Sequence, residues 1–189
     1  MHDAENTPSP PRPDRPRILI VYSTVDGHTL KICQRLQSVM VQSGYAVKLV
    51  SVDDSPAGEL ASSDKIVIGA SIRYGKHRPQ VYDFINRNRG ILDSKPGAFF
   101  SVNVVARKPE KCSPEANPYM KKFRKLSPWR PQVEAVFAGK IEYRKYGFRD
   151  RQIIRFIMWL THGPTHPDTV AEFTDWDAVD TFARTVCAL

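Results

Sequence analysis

Three hydroxyl side chains, Ser23, Thr24 and Thr29, share the stretch Ser23-Thr24-Val25-Asp26-Gly27-His28-Thr29 with one glycine. It follows an apolar run at residues 17–22 and precedes a segment with helical spacing, so it should join a strand to a helix. A loop so placed aims free backbone N–H groups and the helix dipole at one point. The hydroxyls add donors, and Gly27 lets the backbone come close. This suits a single phosphate. The stretch lacks the lysine of G-x-x-x-x-G-K-S/T and the spacing of G-x-G-x-x-G, so an ATP loop and a dinucleotide fingerprint both fit poorly. A hydroxyl-rich helix cap without a ligand is the plainer alternative.

Two other strand ends carry related chemistry. Ser71, Ile72, Arg73, Tyr74 and Gly75 follow the apolar run at 65–70, and Ser101, Val102 and Asn103 close the run that starts at 98. Small residues and backbone groups beside one large side chain suit the edge and face of a flat heteroaromatic ring. Tyr74 is the natural stacking residue, although an ordinary surface tyrosine covering the loop would look the same. No Ser–His–Asp or metal-ligand constellation occurs. His28, His77, His162 and His166 are scattered, and loop or surface roles are expected for them.

The elements that must position these residues read clearly. Residues 17–22, 65–70 and 98–103 are continuous apolar runs of the sort buried on both faces of a sheet. Residues 46–52 alternate like a strand near an edge, and 133–138 form a further strand. Helices are expected over 30–41, closed by Gly44, over 79–89 with Pro79 in the first turn, over 114–126, and over 176–188 with Thr174 and Asp177 as a capping box. Strands alternating with helices imply parallel pairing, right-handed crossovers and a doubly wound α/β sheet. Residues from about 139 to 166 match no sheet element and read as one insertion before the last helix. Residues 1–16, with five prolines, read as a disordered tail ahead of a domain spanning 17–189.

A chain of 189 residues with 41% apolar residues can build one domain with a real core. Three cysteines, Cys33, Cys112 and Cys187, with no C-x-x-C, argue against a disulfide framework and fit reduced, partly buried thiols in a cytosol. No apolar run is long enough to span a bilayer, and residues 1–16 do not look like a signal peptide. The net charge is +8, and residues 107–155 hold fourteen Lys and Arg against five Asp and Glu, so all of the excess lies there. Nucleic acid, an anionic membrane or an acidic small molecule would each suit such a patch. Nucleic acid is disfavoured, because the basic patch at 121–125 lacks the interleaved aromatics of a base-stacking platform.

Thr24-x-x-Gly27-x-Thr29 after a first strand is similar to the flavodoxin phosphate loop. The blocks at 23–29, 68–75 (Ile-Gly-Ala-Ser-Ile-Arg-Tyr-Gly), 101–111 (Ser-Val-Asn-Val-Val-Ala-Arg-Lys-Pro-Glu-Lys) and 174–176 (Thr-Asp-Trp) together resemble the menaquinone-dependent protoporphyrinogen IX dehydrogenases of that family. The resemblance covers about residues 17–189. It implies a flavodoxin-like five-stranded parallel sheet and FMN held by the three loops through Ser23–Thr29, Ser71–Gly75 and Ser101–Asn103. It also implies protoporphyrinogen IX as electron donor in heme biosynthesis, and menaquinone or ubiquinone as acceptor at the inner face of the cytoplasmic membrane. Asp26 stands where a third hydroxyl is usual; a carboxylate there would repel a phosphate, so it is expected to turn away and cap the helix. The flavin then carries the redox chemistry, and no catalytic acid or base is assigned.

The basic excess has two candidate uses. Residues 149–161 read as a helix with a broad apolar arc, an Arg151/Arg155 stripe and Trp159 one turn beyond. It would either pack on the sheet or lie on an anionic membrane surface. Arg107, Lys108, Arg144 and Lys145 could instead clamp the propionates of a porphyrin. A flavodoxin-like electron carrier and an NAD(P)H-dependent quinone reductase remain the alternative functions.

Overall fold

The computed structural model describes residues 15–54, 57–142, 152, 166 and 170–189. The strands are β1 (Arg17–Ser23), β2 (Ala46–Ser51), β3 (Lys65–Arg73), β4 (Lys76–His77), β5 (Gly97–Asn103), β6 (Val133–Ala138), β7 (Lys140–Glu142) and β8 (Val170–Glu172). The helices are α1 (His28–Gln42), α2 (Ala57–Ser62), α3 (Pro79–Arg87), α4 (Arg89–Asp93), α5 (Pro118–Leu126) and α6 (Trp176–Cys187). Five parallel strands lie in the order β2-β1-β3-β5-β6. The winding reverses between β1 and β3, and their carboxyl ends therefore open the crevice where ligands of such sheets bind.

Alternation along the central strands splits the core into two layers. Ile18, Ile20, Phe100 and Phe137 pack with Ile32, Leu36 and Met40 of α1 and with Phe182 and Val186 of α6. Leu19, Val21, Ile66, Ile68 and Phe99 face the other way, against Phe84, Phe123 and Trp129. Each fully buried side chain of this kind contributes about 1.5–3 kcal/mol, which is why both faces of β1 must be apolar. Gly69 lets β3 and β5 pair here. A Cβ at that position would stand 2.1 Å from Cζ of Phe100.

Several boundaries differ from the sequence reading, each for a tertiary reason. β3 runs on to Arg73 because β4 folds back on it, pairing Ile72 with His77 and Arg73 with Lys76. The helix expected from residue 114 starts at Pro118, after Asn117, whose Oδ1 accepts the Tyr119 N–H at 3.0 Å. The helix expected over 79–89 divides at Asn88 into α3 and α4. Asp175, not Thr174, caps α6, its Oδ1 accepting from the N–H groups of Asp177 and Ala178. The insertion is not free of sheet structure, since its flanks β7 and β8 form an antiparallel ribbon. Cys33 is buried, Cys187 half-buried and, contrary to expectation, Cys112 exposed; all three are free thiols. No described helix is long and apolar enough to cross a membrane. The tail at 1–14, Arg144, Lys145, His162 and, apart from Gln152, the segment 149–161 with Arg151, Arg155 and Trp159 lie outside the described residues.

Candidate functional site

The loop after β1 joins the strand to the N-terminus of α1. Gly27 takes φ 82°, a left-handed conformation that glycine adopts without strain. Its N–H donates to Thr24 Oγ1 at 3.0 Å, which closes the loop. Among the described residues no side chain caps α1 and no acidic residue occupies its first turn, so the positive helix end keeps free N–H groups. Ser23 and Thr29 are 2% and 1% exposed. Their hydroxyl oxygens are the buried side-chain oxygens that find no hydrogen-bond partner among the described residues. An unpaired buried hydroxyl costs about 1–3 kcal/mol. Two of them at one helix end are what a ligand rich in acceptors would relieve.

Asp26 does not cap the helix. Its Oδ2 lies 3.0 Å from Nη1 of Arg73, which reaches across from the tip of the β3–β4 hairpin. The neighbouring strand supplies a cation, and that pairing wins over a solvent-exposed cap. Tyr74 and Gly75 form the turn with φ 50° and 73°, the pattern of a tight two-residue hairpin. Tyr74 is 63% exposed, with the Arg73 guanidinium 5.3 Å from its ring centroid. Val25 is also exposed on the first loop.

The end of β5 is organised differently. Ser101, Val102 and Asn103 are all buried. Ser101 Oγ lies 3.0 Å from Nε2 of His77 and accepts from Asn103 Nδ2 at 3.4 Å. Asn103 Oδ1 accepts from the Ala106 N–H at 3.0 Å and from Asn117 Nδ2 at 3.2 Å. His77 therefore corrects the sequence expectation of a loop or surface role. It is 2% exposed, packs edge-on to Phe99 and Phe123, and its Nδ1 is 3.4 Å from the Tyr82 hydroxyl. Burial, with the charge of Lys122 nearby, drives its pKa down to about 3, so the ring stays neutral.

His28 is likewise no surface residue. Nε2 stands 2.7 Å from Thr174 Oγ1, whose own proton goes to the Ala138 carbonyl at 2.8 Å. Thr174 must then accept, so Nε2 carries the hydrogen. Burial lowers the His28 pKa; Glu172 opposes this, and Lys31 and Lys140 reinforce it. Trp176 meets His28 edge-on, donates Nε1–H to Glu172 at 3.0 Å and lies under Lys31. Lys31 in turn pairs with Glu172 at 2.9 Å. A cleft of about 290 Å³ opens here, between Gly27, His28 and Lys31 on one side and Lys140, Glu142 and Glu172 on the other. Lys31, Glu172 and this use of Thr174 and Trp176 were missed in the sequence; the Thr-Asp-Trp block was their only signal.

Of the proposed substrate residues, Arg107 and Lys108 are half-buried. The Arg107 guanidinium donates to the Val104 carbonyl at 3.3 Å and sits 5.9 Å from the Phe173 ring. Among the described residues no cluster of His, Cys, Asp and Glu could hold a metal ion.

A family model described as a flavodoxin domain matches residues 19–168. The chain is 39% identical over 173 residues to a protein of Escherichia coli strain K12 named protoporphyrinogen IX dehydrogenase (quinone), covering 92% of this chain and 96% of that one. A protein of the same name from Leishmania major is 38% identical over 175 residues, 92% of this chain and 76% of that one. Oxidised flavodoxin 1 from Bacillus cereus matches in structure with a TM-score of 0.50 at 14% identity, over 91% of this chain and 97% of that one. A flavodoxin from Streptococcus pneumonia TIGR4 gives 0.52 at 13% identity, over 91% and 98%. At such identities the structural likeness is one of fold.

Proposed function

Because the chain belongs to the flavodoxin-domain family of quinone-dependent protoporphyrinogen IX dehydrogenases, we infer that it is an FMN-dependent oxidoreductase of heme biosynthesis. It oxidises protoporphyrinogen IX to protoporphyrin IX with a respiratory quinone as acceptor. The observation that carries the cofactor reading is a pair of buried hydroxyls with no partner among the described residues, Ser23 Oγ at the end of β1 and Thr29 Oγ1 in the first turn of α1. Donors of that kind fit a single phosphate monoester.

Bound FMN would supply the two-electron redox chemistry between the macrocycle and the quinone. The chain's own residues bind and orient. Ser23, Thr29 and the first N–H groups of α1 hold the phosphate. Thr24, Val25, Asp26, Gly27 and His28 shape that loop, and the hairpin residues Ser71, Ile72, Arg73, Tyr74 and Gly75 bound the ring. The side chains of Ser101 and Asn103 are spent inside the fold, so at this third strand end it is backbone that faces the ligand. We assign Arg107 and Lys108, with Arg144 and Lys145, to the substrate's propionates, on the strength of their charge just beyond the third loop.

We further propose that the protein works from the cytoplasm, attached peripherally to the anionic inner face of the membrane where its quinone, menaquinone or ubiquinone, resides. Support comes from the basic face of α5, where Lys121, Lys122 and Lys125 are exposed beside Leu126, itself 52% exposed. Flotation with anionic vesicles at low salt should carry the wild type and lose the Arg151→Glu/Arg155→Glu variant; equal flotation would remove the segment 149–161 from the attachment. Anaerobic assay of flavin-loaded protein decides the activity. Protoporphyrinogen IX should reduce the quinone, and NADH or NADPH should not. Turnover with a nicotinamide donor alone would make the chain a quinone reductase, and no turnover with either would make it an electron carrier.

A further inference from the structure

A tyrosine at φ 50° followed by a glycine at φ 73° is an unusual choice for a two-residue hairpin turn, because both positions ordinarily go to glycine or asparagine. A bulky residue persists in the left-handed region where its surroundings hold it there. The core does not hold Tyr74, since the residue is 63% exposed. Its contact on the hairpin is the Arg73 guanidinium, 5.3 Å from the ring centroid. The Arg73 side chain is 20% exposed, and its guanidinium is ion-paired with Asp26 at 3.0 Å. The hairpin is thus tied down at both ends. At its base His77 binds Ser101 of β5; at its tip Arg73 binds the phosphate loop.

The same contact explains a carboxylate in a loop meant for an anion. Standing alone, Asp26 would repel a phosphate. Paired with Arg73, its charge is offset and its side chain is drawn toward the hairpin. The chain of contacts runs from the residue preceding Gly27 to the ring most exposed beside the site.

We propose that Asp26 is a positioning residue for the flavin's ring: through Arg73 it fixes Tyr74 in the orientation that stacks on the isoalloxazine. This rests on the FMN reading above. Its consequence is that the phosphate loop and the ring-stacking residue act as one unit, so that loosening the first loosens the hold on a part of the flavin it does not touch.

Riboflavin, which has the ring and no phosphate, isolates the effect. Dissociation constants for FMN and riboflavin would be measured by flavin fluorescence, with the visible circular dichroism of the bound flavin as a second readout. Asp26→Asn and Arg73→Gln should each weaken riboflavin by about 2–5-fold, as expected for one ion pair and one cation–π contact. Arg73→Gln should weaken FMN further, because it removes the cation that offsets Asp26 near the phosphate. Both variants should alter the dichroism as Tyr74→Ala does. Adding Asp26→Asn to Tyr74→Ala should change riboflavin binding no further. Thermal unfolding without flavin checks that each variant folds. Tighter FMN binding by Asp26→Asn with unchanged riboflavin binding would overturn the proposal and leave Asp26 as a charge near the phosphate. Additive losses in Asp26→Asn/Tyr74→Ala would overturn it too. A wild type that binds neither flavin would sink the cofactor reading itself, a separate result from a wild type that binds both while Asp26→Asn is silent.

Discussion

Ser23 closes β1 and Ser101 lies near the end of β5, and both serines are buried, at 2% and 0% exposure. Their hydroxyls fare in opposite ways. Ser101 Oγ has His77 and Asn103, and beyond them Tyr82, Ala106 and Asn117 complete a closed polar network. Among the described residues Ser23 Oγ has no partner, and neither has Thr29 Oγ1 in the first turn of α1. Two strand ends of one sheet thus serve different purposes. A buried polar network satisfied from within stabilises and fixes geometry. A buried polar group left unsatisfied costs stability, and a chain tolerates it where a ligand completes it. On the proposed reading, the side chains that close β5 serve as scaffold and those that close β1 serve the site.

The largest effect expected from that contrast is acid lability on the scaffold side. His77 in the fold holds its proton only below about pH 3, against an ordinary value of 6.5. Above pH 6.5 folded and unfolded chains are both neutral there. As pH falls from 6.5 toward 3 the unfolded chain takes up the proton first, so stability is lost throughout that window, by about 1.4 kcal/mol per unit. Between pH 6.5 and 5 the wild type should therefore lose about 2 kcal/mol more than a His77→Gln variant in denaturant titrations. Parallel pH profiles for the two would show that His77 is not the neutral anchor of this network.

Ser101→Ala should come next. It strands His77 Nε2 and Asn103 Nδ2 in the interior and should cost about 1–3 kcal/mol of stability. FMN affinity of the folded variant should be nearly unchanged, because that hydroxyl faces inward. A large loss of flavin binding with unaltered unfolding would reverse the assignment of scaffold and site.

Gly27 carries a smaller and purely local effect. A Cβ there meets no heavy atom within 4 Å, so the requirement for glycine comes from φ 82° rather than from crowding. Gly27→Val should weaken FMN by about 10-fold, matching the ~1–2 kcal/mol cost of the left-handed region, and Gly27→Asn much less. Equal losses in the two would point to steric exclusion by the loop instead of backbone strain.

The sheet was legible in the sequence because β1, β3 and β5 are unbroken apolar runs bounded by Gly, Pro and Ser, and nothing but burial on both faces explains such runs. The place of the loop 24–27 between strand and helix was legible for the same local reason, its hydroxyls and glycine being neighbours in the chain. What failed to show were choices made by distant partners. Arg73 drew Asp26 away from the helix cap. Thr174 lost the capping role to Asp175 because its hydroxyl serves His28, 146 residues earlier. Asn117 starts α5 where it also binds Asn103. His77 could pass for a loop residue because the short β4 that buries it exists only by pairing with β3. The first three are contacts between segments apart in the chain, and the last needs a tight turn at Tyr74-Gly75 that the residue types do not announce, so neither periodicity nor propensity encodes them.

The contrast between the two strand ends stands or falls on the preference for FMN over riboflavin in wild type and in Ser23→Ala/Thr29→Ala. The wild type should favour FMN strongly. Each hydroxyl removed should erase about 10–100-fold of that preference, the worth of one hydrogen bond to a charged phosphate. Riboflavin binding should hold, and the flavin-free variant should be as stable as the wild type or more so. An unchanged preference for FMN, or a variant that unfolds more easily without flavin, would show that Ser23 and Thr29 are part of the scaffold after all.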